Sequence, residues 1–331
     1  MILPGDDPAS IAQAAQALAQ GRLVAFPTET VYGLGANAAD DAAVARIFAA
    51  KGRPADHPLI VHVPGAAQVA SFAASVPAFA QRLMDAFWPG PLTLILPRRL
   101  GVAGAAAGGQ DTIGLRCPAH PVAHALLEAA AHAQPPVPGV AGPSANRFGR
   151  VSPTTALHVA GEFDEGLLVL DGGACPVGIE SAIVDCSRGG PVLLRPGMLS
   201  RAQIEAACGE RLRDPADLPG AAPRASGTLE SHYAPRARVR LMDAQALQTA
   251  LDLLGRDATR IATWSRAVLR TPSAGVLRRA MPGDAAEAAR QLFAVLRELD
   301  AQGVDLIWVE TPPAAPEWEG VHDRLRRAAA A

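Results

Sequence analysis

Residues 26–63 read FPTETVYGLGANAADDAAVARIFAAKGRPADHPLIVHV. Two apolar runs, residues 23–26 and 59–63, bracket a set of hydroxyls, cations and imidazoles: Thr28, Thr30, Tyr32, Lys51, Arg53, His57 and His62. Short apolar runs bounded by proline and turn residues read as buried strands. Pro27 ends the first run, so Thr28, Glu29 and Thr30 emerge at a sheet edge, where α/β proteins usually carry chemistry. Asp40 and Asp41 offer an N-cap to a helix whose apolar positions Val44, Ile47 and Phe48 recur at three- and four-residue spacing. That helix, predicted to run to about Ala50, delivers Lys51 and Arg53 on a short turn before the chain re-enters the sheet. Taken singly, the two cations suit a helix C-terminus, where they complement the macrodipole. A sheet edge facing plain solvent needs no such density of polar groups.

Within the same stretch, Gly33-Leu34-Gly35-Ala36-Asn37-Ala38 matches the dinucleotide fingerprint G-x-G-x-x-A. Residues 27–30 separate it from the strand, and no ribose-binding acid follows a second strand at the expected distance, which argues against a phosphate loop.

Working outward, Asp7 or Ser10 caps a predicted first helix ending at Gln20, before Gly21. Residues 65–72 and 77–87 read as helices, and Trp88-Pro89-Gly90-Pro91 is a turn into a strand at 92–96. Residues 101–110 read as small and flexible. The run 111–118 returns to the sheet with Thr112, Gly114 and Arg116 on one face. Arg116 interrupts an apolar run, so it is either paired internally or aimed at an anionic ligand. A helix over 120–131 and a strand over 137–141 lead to Gly142-Pro143-Ser144-Ala145-Asn146, a tight turn whose N–H groups and hydroxyl could cradle a phosphate without a helix-borne lysine. The pattern G-x-x-x-x-G-K-[ST] is absent from the sequence. Ser152-Pro153-Thr154 looks like a capped helix start with proline at N1. A strand at 167–170 leads to Asp171, residues 178–185 enter a further strand, and Arg195 closes another at 192–197.

From 208 to 238 the pattern loses period and gains Pro, Gly and Arg, as an interdomain linker does. Its Ser226-Gly227 through His232-Tyr233-Ala234-Pro235 is unexpected in a plain spacer. Beyond it, strands predicted at 239–242, 260–263 and 305–310 alternate with helices at 244–254, 284–302 and 318–329, a small parallel α/β unit. Ala288, Leu292, Val295, Leu296 and Leu299 form a core stripe. No catalytic constellation falls in this unit, which reads as supporting or regulatory.

The 331 residues are 49% hydrophobic, enough for two cores. No apolar run approaches the roughly 18 residues of a bilayer span, and the N-terminus lacks a secretory pattern, so a soluble cytoplasmic protein is expected. Four cysteines, Cys117, Cys175, Cys186 and Cys208, show no C-x-x-C spacing, which suggests neither a zinc site nor a disulfide framework. Thirty basic against 32 acidic side chains, a net charge of −2, argue against bulk electrostatic binding of nucleic acid.

The central stretch resembles the signature of the YrdC-like domain family, and the whole chain is similar to its two-domain threonylcarbamoyl-AMP synthases. The family pairs a K-x-R element with a later S-x-N element, here Lys51-Gly52-Arg53 and Ser144-Ala145-Asn146. Gly178-Ile179-Glu180-Ser181-Ala182 resembles its G-x-E-S-T strand entry, with Ala182 where threonine is usual. The H-Y-A-P segment at 232–235 corresponds to an active-site lid, although the family's S-P-G lacks its proline at Ser226-Gly227. The resemblance implies a catalytic domain at 1–207 built on a twisted mixed sheet with flanking helices. A linker and lid at 208–238 and a Rossmann-like parallel α/β domain at 239–331 would complete the chain.

The implied reaction joins L-threonine, bicarbonate and ATP, with magnesium on the nucleotide, into threonylcarbamoyl-AMP and releases pyrophosphate. The product feeds a tRNA-modifying threonylcarbamoyl transferase complex, with at most a weak tRNA contact by this chain and no membrane. By motif match Lys51 and Arg53 are catalytic, and with His57, Thr112, Ser144, Asn146, Ser152, Arg195, His232 and Tyr233 they hold ATP. Thr30, His62, Arg116 and Ser181 hold threonine, and no protein-held metal site is implied. Two other readings stand beside this one. The first is a carbamoyl or acyl adenylate transferase akin to hydrogenase-maturation enzymes, whose acylphosphatase and zinc-finger segments have no counterpart here. The second is a noncatalytic RNA-binding module for tRNA or rRNA.

Overall fold

The computed structural model describes residues 1–229 and 232–330. Glu230 and Ser231, inside the predicted lid, and Ala331, the last residue of the predicted C-terminal domain, lie outside the described residues. The chain forms two compact units, Met1–Phe148 with Ser152–Thr228, and Gly149–Val151 with Leu229–Ala331. The stretch read as a linker is thus shared between them, and three residues following Phe148 join the second unit.

The first unit opens with β1 (Ile2–Pro4), α1 (Pro8–Ala19), β2 (Val24–Phe26), β3 (Gly33–Asn37), α2 (Asp41–Lys51) and β4 (Ile60–His62). It continues with α3 (Ala78–Phe87), β5 (Leu92–Pro97), β6 (Thr112–Arg116), α4 (Pro121–Ala131) and β7 (Val140–Ala141). It closes with α5 (Ala156–Ala160), β8 (Leu168–Asp171), β9 (Ala182–Asp185), β10 (Val192–Arg195) and α6 (Arg201–Cys208). Ten strands form one mixed sheet in the order β1-β8-β2-β3-β7-β4-β6-β5-β9-β10. Helices α1 and α4 pack on one face over Val24, Phe26, Val140 and Leu170. Residues Val44, Ile47 and Phe48 of α2 join Ala25, Leu34 and Val61 in the core of the other face.

The glycine run that imitates a nucleotide fingerprint is strand β3, antiparallel to β2. Its glycines make room for a ring. A Cβ on Gly35 would lie 2.9 Å from Phe26 Cε1 and 2.8 Å from Val140 Cγ1, inside van der Waals contact.

Helix α2 starts where the carboxylate of Asp40 accepts from the N–H groups of Ala42 and Ala43, and it stops at Gly52, whose φ of 64° is left-handed. A Cβ there would meet nothing within 4 Å, so Gly52→Ala carries conformational strain without a clash. We expect it to lower unfolding free energy by about 1 kcal/mol, read as a lower urea midpoint at unchanged m-value.

Residues 101–110, expected to be flexible, instead bury Ala103, Ala106 and Ala107 in turns. The helix expected from Ser152 begins later, at Ala156, with Thr155 as its cap, and this frees the Ser152 hydroxyl for another partner.

The second unit contains β11 (Arg238–Met242), α7 (Ala244–Leu254), β12 (Ile261–Ser265), β13 (Val276–Ala280), α8 (Ala285–Ala301), β14 (Leu306–Glu310) and α9 (Glu319–Ala329). Its four strands are parallel in the order β11-β14-β12-β13. Ala288, Leu292, Val295, Leu296 and Leu299 are buried on α8, as their spacing predicts. Strand β13, whose last four residues are exposed, shows no apolar run and escapes sequence reading.

Candidate functional site

The turn after β2 organises itself through Thr28. Its hydroxyl donates to Val31 O at 2.6 Å and accepts from the N–H groups of Thr30 and Val31, a local side-chain turn that fixes where Thr30 points. Backbone bonds then draw three later loops onto this turn. Ala145 N–H donates to Tyr32 O, Tyr32 N–H to Pro153 O, and Val177 N–H to Glu29 O. The segments around Ser144, Ser152 and Ser181 therefore converge on the P-T-E-T turn although they lie over a hundred residues away.

Arg116, at the end of β6, reaches the same turn. Its Nη1 donates to Thr30 Oγ1 at 2.9 Å, its Nε to Gly90 O at 3.3 Å, and its Nη2 lies 2.8 Å from Glu29 Oε1. His62 is the register partner of Arg116 in the neighbouring strand, with its ring edge-on to Phe26 at 5.6 Å. Gly142 lets it sit there, since a Cβ on that residue would lie 3.1 Å from His62 Nδ1.

Burial, with the Arg116 charge second, pushes the His62 pKa down to about 3 from 6.5. Between those values the unfolded chain binds a proton that folded His62 refuses. Stability is therefore lost as pH falls from 6.5 toward 3, by about 1.4 kcal/mol per pH unit for this one group. Urea unfolding at pH 7 and pH 5 checks this: His62→Asn should lose less stability between the two than the parent.

The K-x-R element meets the S-x-N turn. Lys51, 3% exposed, donates through Nζ to Ser144 O at 2.6 Å and to Asn146 O, while Phe148 N–H returns a bond to Lys51 O. Burial, then the charge of Arg53, press the Lys51 pKa well below the ordinary lysine value, with Glu162 opposing. The turn was expected to present its own N–H groups to a phosphate without a helix-borne lysine. Two of its N–H groups are already used, Gly142 N–H by Ile60 O and Ala145 N–H by Tyr32 O, and Lys51, the last residue of α2, sets a cation beside the turn. Arg53 donates to Pro58 O at 3.0 Å and lies 5.8 Å from the Phe148 ring, with His57 against the same ring at 5.5 Å.

A third group surrounds Arg195. Its Nε and Nη2 donate to Ser181 O and Ser181 Oγ, and Thr93 Oγ1 lies 2.8 Å from that hydroxyl. Its Nη1 donates to Ser226 O at 2.8 Å. Residues 224–226, read as linker, are fastened to the first unit. Arg224 pairs with Asp56 at 2.9 Å and donates to Gly108 O at 3.0 Å, and Ala225 packs on Ile60, Ile95 and Ile183. Thr112 lies beside this strap with Pro58 and Thr93 rather than at the P-T-E-T turn. Ser152 donates to Glu180 Oε1 at 2.6 Å. Ala182 belongs to the apolar core, so the hydroxyl missing at this position would have faced the core.

His232 and Tyr233 are described with the second unit. Their rings lie 4.0 Å apart, Tyr233 is 5.2 Å from the Phe293 ring, and the Arg324 guanidinium stands 5.7 Å from the Tyr233 ring.

Sequence reading gave no role to Glu29, Thr93 or Glu180, each of which holds a predicted site residue. The G-x-E-S motif and the P-T-E-T motif name two of them, but neither carries a partner's identity. Four buried cations, Lys51 at the end of α2 with Arg53, Arg116 and Arg195 on a turn and strand ends, suit an anionic ligand, since charge acts strongly where water is excluded. No activated thiol accompanies them: all four cysteines are free and buried, and burial pushes Cys117 up to about 11 and Cys175 to about 12.

A family model described as "Telomere recombination" matches residues 16–197, and one described as "Threonylcarbamoyl-AMP synthase, C-terminal domain" matches residues 199–330. The chain is 39% identical to a Pyrococcus abyssi threonylcarbamoyl-AMP synthase, over 95% of this chain and 92% of the relative. The chain belongs to the threonylcarbamoyl-AMP synthase family. A Bacillus subtilis member is 38% identical over 99% of this chain and 94% of its own. Among solved structures, P. abyssi Sua5 complexed with L-threonine superposes with a TM-score of 0.87 at 37% identity, covering 98% of this chain and 95% of that one. Among the described residues no helix is long and apolar enough to cross a membrane.

Proposed function

We propose that this chain synthesises threonylcarbamoyl-AMP from L-threonine, bicarbonate and ATP with release of pyrophosphate, the first step of tRNA threonylcarbamoyladenosine modification. The observation that carries the reading is full-length likeness to proteins of that name, one of them crystallised with L-threonine. That ligand favours catalysis over the RNA-binding alternative.

In this reading threonine's amine takes up CO2 or bicarbonate as a carbamate, and a carbamate oxygen attacks the α-phosphorus of ATP. Lys51 and Arg53 neutralise the triphosphate, with Ser144, Asn146, Ser152, Arg195, His57, Thr112, His232 and Tyr233 completing the nucleotide set. Thr30, His62, Arg116 and Ser181 hold threonine. The site works by positioning and charge neutralisation rather than by a protein nucleophile. Burial keeps His62 a neutral hydrogen-bonding group well below pH 6.5, where an ordinary histidine would become a cation. Among the described residues no cluster of three His, Cys, Asp or Glu side chains could hold a metal ion, so magnesium enters as MgATP, with the phosphates as its ligands. The protein works in the cytoplasm and hands its product to a threonylcarbamoyl transferase complex.

Incubation with 13C-bicarbonate, L-threonine and MgATP, followed by mass spectrometry, tests the reading. A threonine-dependent AMP conjugate carrying one 13C is expected. Adenylated product without the label would point to a different acyl adenylate.

A further inference from the structure

Arg116 and Glu29 are both buried, with side chains 4% and 8% exposed, and they approach to 2.8 Å. Removing two charges from water costs several kcal/mol each, and only well-aligned hydrogen bonds offset it. A carboxylate that serves merely to neutralise an arginine usually does so in a two-pronged fork that satisfies both oxygens. That geometry is absent here. Nε and Nη1 of Arg116 are directed to Gly90 O and Thr30 Oγ1, and the contact through Nη2 lies off the hydrogen-bond axis. Among the described residues, neither oxygen of Glu29 receives an aligned hydrogen bond and Arg116 Nη2 donates none.

Among the described residues Glu29 has no second cationic partner. Cys117 and Cys175 stay protonated, chiefly through burial, with the Glu29 charge adding to it. Burial likewise holds the His120 pKa below its ordinary value, and its Nδ1 is spent accepting from Val122 N–H. A buried carboxylate therefore lacks an N–H donor while, 2.8 Å away, a buried guanidinium nitrogen lacks an oxygen acceptor. An α-amino acid zwitterion supplies both on one carbon, an ammonium for the carboxylate and a carboxylate for the guanidinium.

We propose that Glu29 receives the α-ammonium group of the amino-acid substrate while Arg116 Nη2 receives its carboxylate. Thr30 Oγ1, bonded to the other terminal nitrogen of Arg116, borders the same site. Resting on the threonine reading above, this makes Glu29 a specificity determinant that separates amino acids from hydroxy acids of the same shape. The discrimination is large because an acid lacking the ammonium leaves the carboxylate buried without a donor.

The test compares L-threonine with its 2-hydroxy analogue, 2,3-dihydroxybutanoate, by calorimetric titration in the absence of ATP. The parent protein should prefer threonine by about 10- to 100-fold, the worth of a charge-assisted hydrogen bond. Glu29→Gln should bring that ratio close to one while binding of the hydroxy acid changes little. Glu29→Asp, which keeps the charge, should retain most of the preference.

If Glu29 only orients Arg116, the Gln variant weakens both ligands equally, and the proposal falls. Equal binding of the two ligands by the parent protein overturns it without any variant, so a poorly folding mutant does not protect it. Failure of the broader reading looks different: the parent protein then neither binds threonine nor releases pyrophosphate in its presence.

Discussion

Replacing Lys51 by alanine is expected to cut kcat/KM for threonine-dependent pyrophosphate release by roughly thirty- to several thousand-fold, the equivalent of about 2–5 kcal/mol for a charge-assisted contact in a water-excluded site. From the sequence alone, a K-x-R cation at a helix end suggests a residue whose loss leaves folding untouched. The structure changes that expectation. Lys51 Nζ bonds to the carbonyls of Ser144 and Asn146, and alanine leaves both without this donor, a cost of about 1–3 kcal/mol per buried group. Urea unfolding alongside steady-state kinetics separates the two effects. Lys51→Arg should recover part of the stability and less of the turnover, because a guanidinium of different reach cannot reproduce both bonds. A well-folded Lys51→Ala variant with normal kinetics would remove Lys51 from the site.

The second large effect concerns Arg116. Arg116→Met leaves Glu29 buried without its cation, and breaking a buried pair from one side costs about 3–5 kcal/mol. The double variant Arg116→Met with Glu29→Leu removes both charges and should regain most of that stability, since a well-packed apolar pair is often as stable as the ions it replaces. Neither variant should turn over threonine. Denaturant midpoints for the two single variants and the double variant measure the coupling directly. A single variant as stable as the parent would show that Glu29 is not held by this arginine.

Helix α2 is the part most legible in the sequence, because cap, apolar spacing and left-handed glycine all act locally. Asp40, Val44, Ile47 and Phe48 each announce their roles without knowledge of the remaining chain, whereas the helix was expected to end at about Ala50 and in fact stops one residue later, at Lys51, before the left-handed Gly52. The same holds for the stripe on α8. Strand β3 was not legible, since Gly33 and Gly35 have no side chains to alternate and their reason is the distant ring of Phe26. Ser152 was misread for a related cause. A Ser-Pro pair signals a helix start locally, but a buried Glu180 claims the hydroxyl.

At the site, residue types that stand out by charge or motif were visible, but their partners were not. Glu29 lies in the middle of the most informative stretch, and only the fold brings Arg116 to it across 87 positions. The strap at residues 224–226 has the composition of a linker, because Arg, Ala and Ser do not reveal that Asp56, Gly108 and Arg195 await them.

Pyrophosphate release from the purified protein decides whether this chain activates threonine as a carbamoyl adenylate. With MgATP and bicarbonate present, release should depend on L-threonine, fall with L-serine and stay at background with L-alanine. ATP left intact under every condition would contradict the account, whatever the protein binds.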